Sequence, residues 1–247
     1  MNACRALVRV VVVCVAVAGL ALCASPWTLA SDSSAPPVEE GFVSLFNGKD
    51  LTGWDGDQRY WSVRNGAITA QTTADGPPLT VNNFLIWQGG QPREFELRLQ
   101  FRIENGNSGI YFHSEKQTTD PRRDPRIGLQ ADISGGDQRW TGVIMEYLKR
   151  DVLAERGQRV VIDEQGRKQV SSLGDPGELL KAVKEKDWND YTVIVRGEQT
   201  ILQINGVTMC ELTDRDPRRT RAGYLALQVH VGPPMLVQFR NIRMRQF

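Results

Sequence analysis

The chain is short of the side chains that most often carry catalysis or staple a fold: 247 residues include two histidines and four cysteines. Cys4, Cys14 and Cys23 all precede residue 24, so everything beyond holds Cys210 alone and can form no internal disulfide. The fold must therefore rest on an apolar core, which a chain with 40% hydrophobic residues can build at this length. Cys210 stands beside Met209 in a strand-like apolar stretch, the setting of a buried thiol rather than a nucleophile. A formal net charge of +1 supplies no basic field for nucleic acid and no acidic excess of the disordered kind. Gly-rich phosphate loops, paired-cysteine metal motifs, His-x-x-x-His helices and serine elbows are also missing, so nucleotide, zinc-finger and α/β-hydrolase readings have no anchor.

Long hydrophobic runs are scarce too. The one that stands out, Val10 to Ala24, follows Arg5 and Arg9 and reads as an export leader over residues 1–30, with cleavage after Ala30 or near Ala24. At about 15 residues it is shorter than the roughly 20 a spanning helix needs, so no membrane span is expected once the leader is removed. A retained anchor is one alternative. Lipidation at Cys23 is another, because Leu20-Ala21-Leu22-Cys23 loosely resembles a lipoprotein box with Leu22 in the place of a small residue. Ser31 to Glu40, with two consecutive prolines and almost no apolar content, reads as a flexible linker, leaving residues 41–247 for the fold.

Within that region the dominant period is two. Phe95, Leu97, Leu99, Phe101 and Ile103 alternate with Glu96, Arg98, Gln100 and Arg102, a strand with one wet face. The alternation recurs at Tyr191 to Arg196, Ile201 to Asn205, Leu225 to Val231 and Leu236 to Met244. Asn65-Gly66 and Asn205-Gly206 are hairpin turns and demand antiparallel pairing. One short helix is expected over Glu178 to Lys186, after Asp175-Pro176-Gly177, so a βαβ architecture has little support. The pattern predicts an all-β sandwich of two antiparallel sheets.

Strand parity then selects candidates for function. If Ile110 and Phe112 point inward, Tyr111 and His113 point outward, and the same logic projects Gln130 and Asp132 between Leu129 and Ile133, and Gln228 and His230 between Leu225 and Val231. Both histidines thus fall on wet faces, although a solvated strand face is also where a merely structural histidine sits. Asp132 and Glu146 are a possible acid and base pair, provided their separation suits a sugar. The string Asp-Pro-Arg-Arg recurs in Asp120 to Arg126 and Asp214 to Arg221, as an anion patch or as solvated turns. Trp54, Trp61, Trp87, Trp140 and Trp188 suit a core or a sugar platform, and Trp140, beside a Gly-rich stretch, is the platform candidate.

Several ordered motifs carry a family resemblance: GFVSLFNGKDLTGW from Gly41, FELRLQFRIENGNSGIYF from Phe95, GLQADI from Gly128, DWNDYTVIVRG from Asp187 and LALQVHVGPPMLVQFRNIRM at the close. Together they resemble the 3-keto-disaccharide hydrolase domain family over Gly41 to Phe247. The resemblance implies a concanavalin A-like jelly roll with a concave groove, an exported bacterial protein, and cleavage of glycosides whose C3 hydroxyl has become a ketone. It further implies that Asn107, Tyr111, His113, Gln130, Asp132, Glu146, Arg150, Gln228 and His230 face the groove.

A C3 ketone acidifies the C2 proton, so a base at C2 can trigger departure of the C1 oxygen, after which water adds to the alkene. On this reading His230 is the base, Glu146 the acid, and Gln130, Asp132 and Arg150 position the substrate or stabilise the enolate. Where many relatives carry arginine this chain has His113, which either shifts substrate preference or joins the chemistry, with a divalent ion held by His113, Asp132 and His230. A noncatalytic carbohydrate-binding sandwich and a cell-envelope interaction module are the alternative functions. The oligomeric state is not legible.

Overall fold

The structure, a computed structural model, describes residues 39–115 and 127–247. The expected leader, nearly all of the linker, Cys4, Cys14, Cys23 and the Asp120–Arg126 loop lie outside the described residues. In chain order the strands are β1 (Val43–Ser44), β2 (Trp54–Asp55), β3 (Trp61–Arg64), β4 (Ala67–Thr72), β5 (Asn83–Trp87), β6 (Phe95–Glu104), β7 (Asn107–Glu115), β8 (Ile127–Ser134) and β9 (Ile144–Tyr147). They continue as β10 (Asp151–Ala154), β11 (Gln158–Ile162), β12 (Lys168–Ser172), β13 (Asn189–Arg196), β14 (Gln199–Ile204), β15 (Val207–Asp214), β16 (Tyr224–Val229) and β17 (Met235–Gln246).

They form two sheets. The ten-stranded sheet runs β12-β11-β15-β14-β13-β6-β17-β4-β3, with β1 added on β17, and the seven-stranded sheet runs β10-β9-β8-β7-β16-β5-β2. Antiparallel pairing dominates, as the Asn-Gly turns require: Asn65 and Gly66 adopt φ of 50° and 72°, and Asn205 and Gly206 of 50° and 79°. Positive φ at both central residues matches the twist of a two-residue hairpin and is tolerated best by Asn and Gly. The exception is β11, which pairs parallel to β15. The intervening chain through β12, β13 and β14 is long enough for that crossover. The charged stretch from Arg156 to Leu173, irregular as sequence, supplies β11 and β12 at this sheet's edge.

The core lies between the sheets and is built by alternation. Phe95, Leu97, Leu99, Phe101 and Ile103 of β6 face Ile110 and Phe112 of β7, Leu129, Ala131 and Ile133 of β8 and Leu225, Leu227 and Val229 of β16 in one buried cluster. Cys210 belongs to it, and burial holds its thiol well above the ordinary range, the state of an inert core residue. The helix is shorter than expected, α1 spanning Pro176–Leu180 under an Asp175 cap that accepts from the Glu178 N–H. Beyond Leu180 the backbone tightens, the N–H groups of Lys181, Ala182 and Val183 each reaching the carbonyl three residues back, and the Asn189 side-chain amide then holds the N–H and the carbonyl of Lys184 at 2.8 and 2.9 Å. Among the described residues no helix is long and apolar enough to cross a membrane.

Candidate functional site

The outward face of the seven-stranded sheet gathers the polar residues. Antiparallel neighbours share a face, and the register sets Tyr111 opposite Gln130 on β8 and Ala226 on β16, Gly109 opposite Asp132, and Asn107 opposite Ser134. The result is a cleft of about 420 Å³. Asn107, Tyr111, Gln130, Asp132 and Gln228 line it at depth, while Trp140 and His230, both half-buried, form its walls.

A line of hydrogen bonds fixes these side chains. Gln130 Nε2 donates to Gln228 Oε1 at 3.1 Å, and Gln228 Nε2 donates to Tyr111 Oη at 3.3 Å. Tyr111 thus accepts within the protein and keeps its own O–H for a ligand, while burial holds its pKa well above that of a free phenol. The line needs a bare backbone beneath it, because a Cβ on Gly109 would stand 2.5 Å from Gln130 Nε2. Phe84 packs edge-on against Tyr111 at 5.0 Å and, with Ala226, adds a small apolar patch to the same face.

Asp132 is the buried carboxyl of the cleft, 3% exposed. It accepts from Asn107 Nδ2 at 2.7 Å, but loss of water dominates and pushes its pKa up to about 8. At neutral pH it therefore carries a proton it can donate. His230 follows β16 at the rim, its Nδ1 2.5 Å from the Val231 carbonyl. A carbonyl only accepts, so Nδ1 carries a hydrogen, and in the neutral ring Nε2 is the nitrogen left with a lone pair, the arrangement of a base. Trp140 ends a single 3₁₀ turn, Gln138–Trp140, capped by Asp137, with the Arg139 guanidinium 4.6 Å from its ring centre.

Three expected groove residues lie elsewhere. The register of β7 against β8 shifts between Phe112 and Glu115, and His113 adopts φ of 46°, which turns its ring inward against Phe95 and Phe112. There its Nε2 meets the Arg93 carbonyl at 2.8 Å and its Nδ1 the Thr220 carbonyl at 3.2 Å. Burial lowers its pKa against the opposing pull of those carbonyls. Glu146 pairs with Leu129 across β8 and β9, so it shares the inward parity of Leu129, and Met145 and Tyr147 take the cleft positions. Fully buried, Glu146 receives the Nε of Arg150, whose other nitrogens reach the Asp214 carboxylate at 3.1 and 2.7 Å.

Arg150 is thus a clamp between the sheets rather than a groove residue. The charges of Asp214 to Arg221 are likewise engaged within the protein, with Asp214 on Arg150 at 2.7 Å, Arg218 on Asp216 at 2.6 Å and Arg215 on Glu198 at 3.1 Å, the behaviour of structural turns. The proposed ion ligands do not converge: His113 points into the core, and among the described residues no three His, Cys, Asp or Glu side chains stand together as a metal site. Sequence reasoning missed Tyr147 and Met145. Their signal was hidden because Val143, Ile144 and Met145 are all apolar, which leaves the parity of β9 undecided.

A two-sheet β-sandwich is an architecture that lectin domains share with many unrelated proteins, so the fold alone assigns no function. The chain belongs to the 3-keto-alpha-glucoside-1,2-lyase-like domain family, whose model matches residues 41–245. A curated relative, the 3-keto-disaccharide hydrolase of Bacteroides thetaiotaomicron, is 25% identical over 95 residues, 36% of this chain. That match spans 33% of the relative, so the chain covers about a third of its length. Among solved structures, a candidate glycosyl hydrolase from Parabacteroides distasonis superposes with TM-score 0.55 at 19% identity, over 83% of this chain and 99% of that one. A Bacillus subtilis protein with a galectin-like fold gives 0.54 at 11% identity, over 79% and 90%. The carbohydrate-binding module CBM66 of Bacillus subtilis gives 0.50 at 12%, over 78% and 96%. These likenesses establish the fold, and the family makes the chain a relative of carbohydrate hydrolases.

Proposed function

We propose that the protein cleaves 3-keto-glycosides by elimination across C1 and C2 followed by hydration. The observation that carries this is the convergence, in one cleft, of the buried Asp132 carboxyl, whose pKa burial pushes up to about 8, a phenol O–H backed by two amides, and the His230 imidazole, whose Nδ1 meets a backbone carbonyl. His230 Nε2 takes the C2 proton, and the electron pair of that bond moves toward the C3 ketone, whose developing oxyanion receives the Tyr111 O–H. The pair then returns to form the C1–C2 double bond as the C1–O bond breaks, and Asp132 protonates the departing oxygen. Water adds hydroxyl at C1 and hydrogen at C2, so the sum is hydrolysis. Asp132 thus replaces Glu146 as the acid, and no step is routed through a metal. The basic, then apolar, N-terminus supports export to the periplasm or beyond.

Trp140 on the wall and Tyr111 on the floor, backed by Phe84, favour one other reading, a noncatalytic sugar-binding module. Product release from a 3-keto-disaccharide and from its unoxidised parent, each with and without chelator, separates the two. Cleavage of the keto sugar alone, unaffected by chelator, is the expected result. Saturable binding of both sugars with no cleavage of either would establish the binding module.

A further inference from the structure

Trp140 has a second side. It also walls a separate pocket of about 220 Å³, where Val143 and Pro176 add apolar surface and Arg139, Glu155 and Arg156 add charge. That volume is the share of about seven waters, enough for one ionised group and part of the ring bearing it.

Arg156 is the unusual member. It is 8% exposed, and among the described residues it has no carboxylate partner. Its Nε donates to the Pro176 carbonyl at 2.9 Å, and its Nη1 to the carbonyls of Gln138 at 2.9 Å and Thr141 at 2.5 Å. No bond to the described residues engages Nη2. Arg150, by contrast, meets both Glu146 and Asp214. Of the other charges of the pocket, Arg139 is held by Asp137 at 2.7 Å, and Glu155, exposed at the mouth, accepts from the neutral Gln158 amide at 3.0 Å and forms no ion pair with Arg156. A buried cation is costly until an anion meets it, and Nη2, the one nitrogen of this guanidinium left without a bond to the described residues, can donate a charge-assisted hydrogen bond to an oxyanion. Anchoring the Trp140 turn accounts for the three carbonyl bonds but not for Nη2.

We propose that the pocket behind Trp140 is an oxyanion subsite, in which Arg156 Nη2 binds a carboxylate or phosphate carried on a sugar or on the group attached to it. The cleft's glycoside reading enters only in naming the carrier: one ring lies in the cleft and the acidic group passes to the far side of Trp140. The subsite selects for substrates acidic at that end.

Calorimetric titration of the full chain with glucuronate, glucose 1-phosphate, inorganic phosphate and glucose tests this at low and high salt. Glucuronate or glucose 1-phosphate is expected to bind at one site at least about tenfold more tightly than glucose, with an advantage that shrinks as salt rises. The two sugars distinguish carboxylate from phosphate, and inorganic phosphate shows whether the anion suffices without its ring. Arg156→Lys should lose most of the advantage, and Glu155→Gln, a change at the exposed mouth that leaves the fold intact, should enlarge it. Equal affinity for charged and neutral sugars, or an advantage untouched by Glu155→Gln and Arg156→Lys alike, would overturn the subsite. Cleavage of a neutral 3-keto-disaccharide without anion preference removes the subsite alone, and anion binding without cleavage removes the enzymatic reading alone.

Discussion

Replacing Asp132 by Asn removes a proton-binding group from the cleft while keeping its shape and an oxygen for the Asn107 amide, which now stands 2.7 Å away. Burial pushes the Asp132 pKa from its ordinary 3.8 up to about 8, so between those values the folded protein holds a proton that the unfolded chain has released. The contribution is fully present below the unfolded value and is lost as pH rises through the folded one, so stability falls by up to about 1.4 kcal/mol per pH unit across the window. From pH 5 to pH 7 that amounts to about 2.7 kcal/mol. A domain of this size shifts by roughly 2–4 °C per kcal/mol, so the melting temperature of Asp132→Asn relative to wild type should rise by about 5–10 °C between the two pH values. Melts followed by near-ultraviolet circular dichroism at constant ionic strength measure it, and all other titrating groups cancel in the difference. The variant should also lose at least about 100-fold in turnover, because an amide cannot protonate a leaving oxygen. A difference in melting temperature that does not change with pH would show Asp132 ionised in the fold and unable to serve as the acid.

His230→Ala should lower kcat by at least about 100-fold while leaving stability within about 0.5 kcal/mol, since the ring sits half-buried at the rim, and full activity in this variant would end its assignment as base. Glu146→Gln should do the reverse: it strips a fully buried carboxylate from Arg150 and costs about 3–5 kcal/mol, read as a large drop in melting temperature, with kcat of the folded protein kept within a few-fold. Loss of turnover without loss of stability there would return Glu146 to the reaction. Gly109→Ala places a Cβ 2.5 Å from Gln130 Nε2, so Gln130 must leave Gln228 and a cost of about 1–3 kcal/mol should appear together with a fall in kcat. Unchanged kinetics would mean that the amide line does not support Tyr111.

Parity was legible wherever strands stay regular. The five alternating apolar residues of β6 all enter the core, and Tyr111, Gln130, Asp132 and Gln228 reach one cleft because β7, β8 and β16 stay in register where those residues lie. His113 lies two positions beyond Tyr111, yet a left-handed residue and a register shift turn it to the other face, and neither shows in hydrophobic period. Glu146 and Arg156 escaped for a different reason. A buried charge is defined by what meets it: Arg150 is only four residues from Glu146, but Asp214, which completes that cluster, is 64 residues from Arg150, and the carbonyls that hold Arg156 stand 15 to 20 residues away. What a buried charge does therefore follows from that pairing alone. Glu146, closed on Arg150, holds two sheets together, whereas Arg156, held by three carbonyls through Nε and Nη1 and lining a pocket with Nη2 still to be engaged, is set to receive an anion.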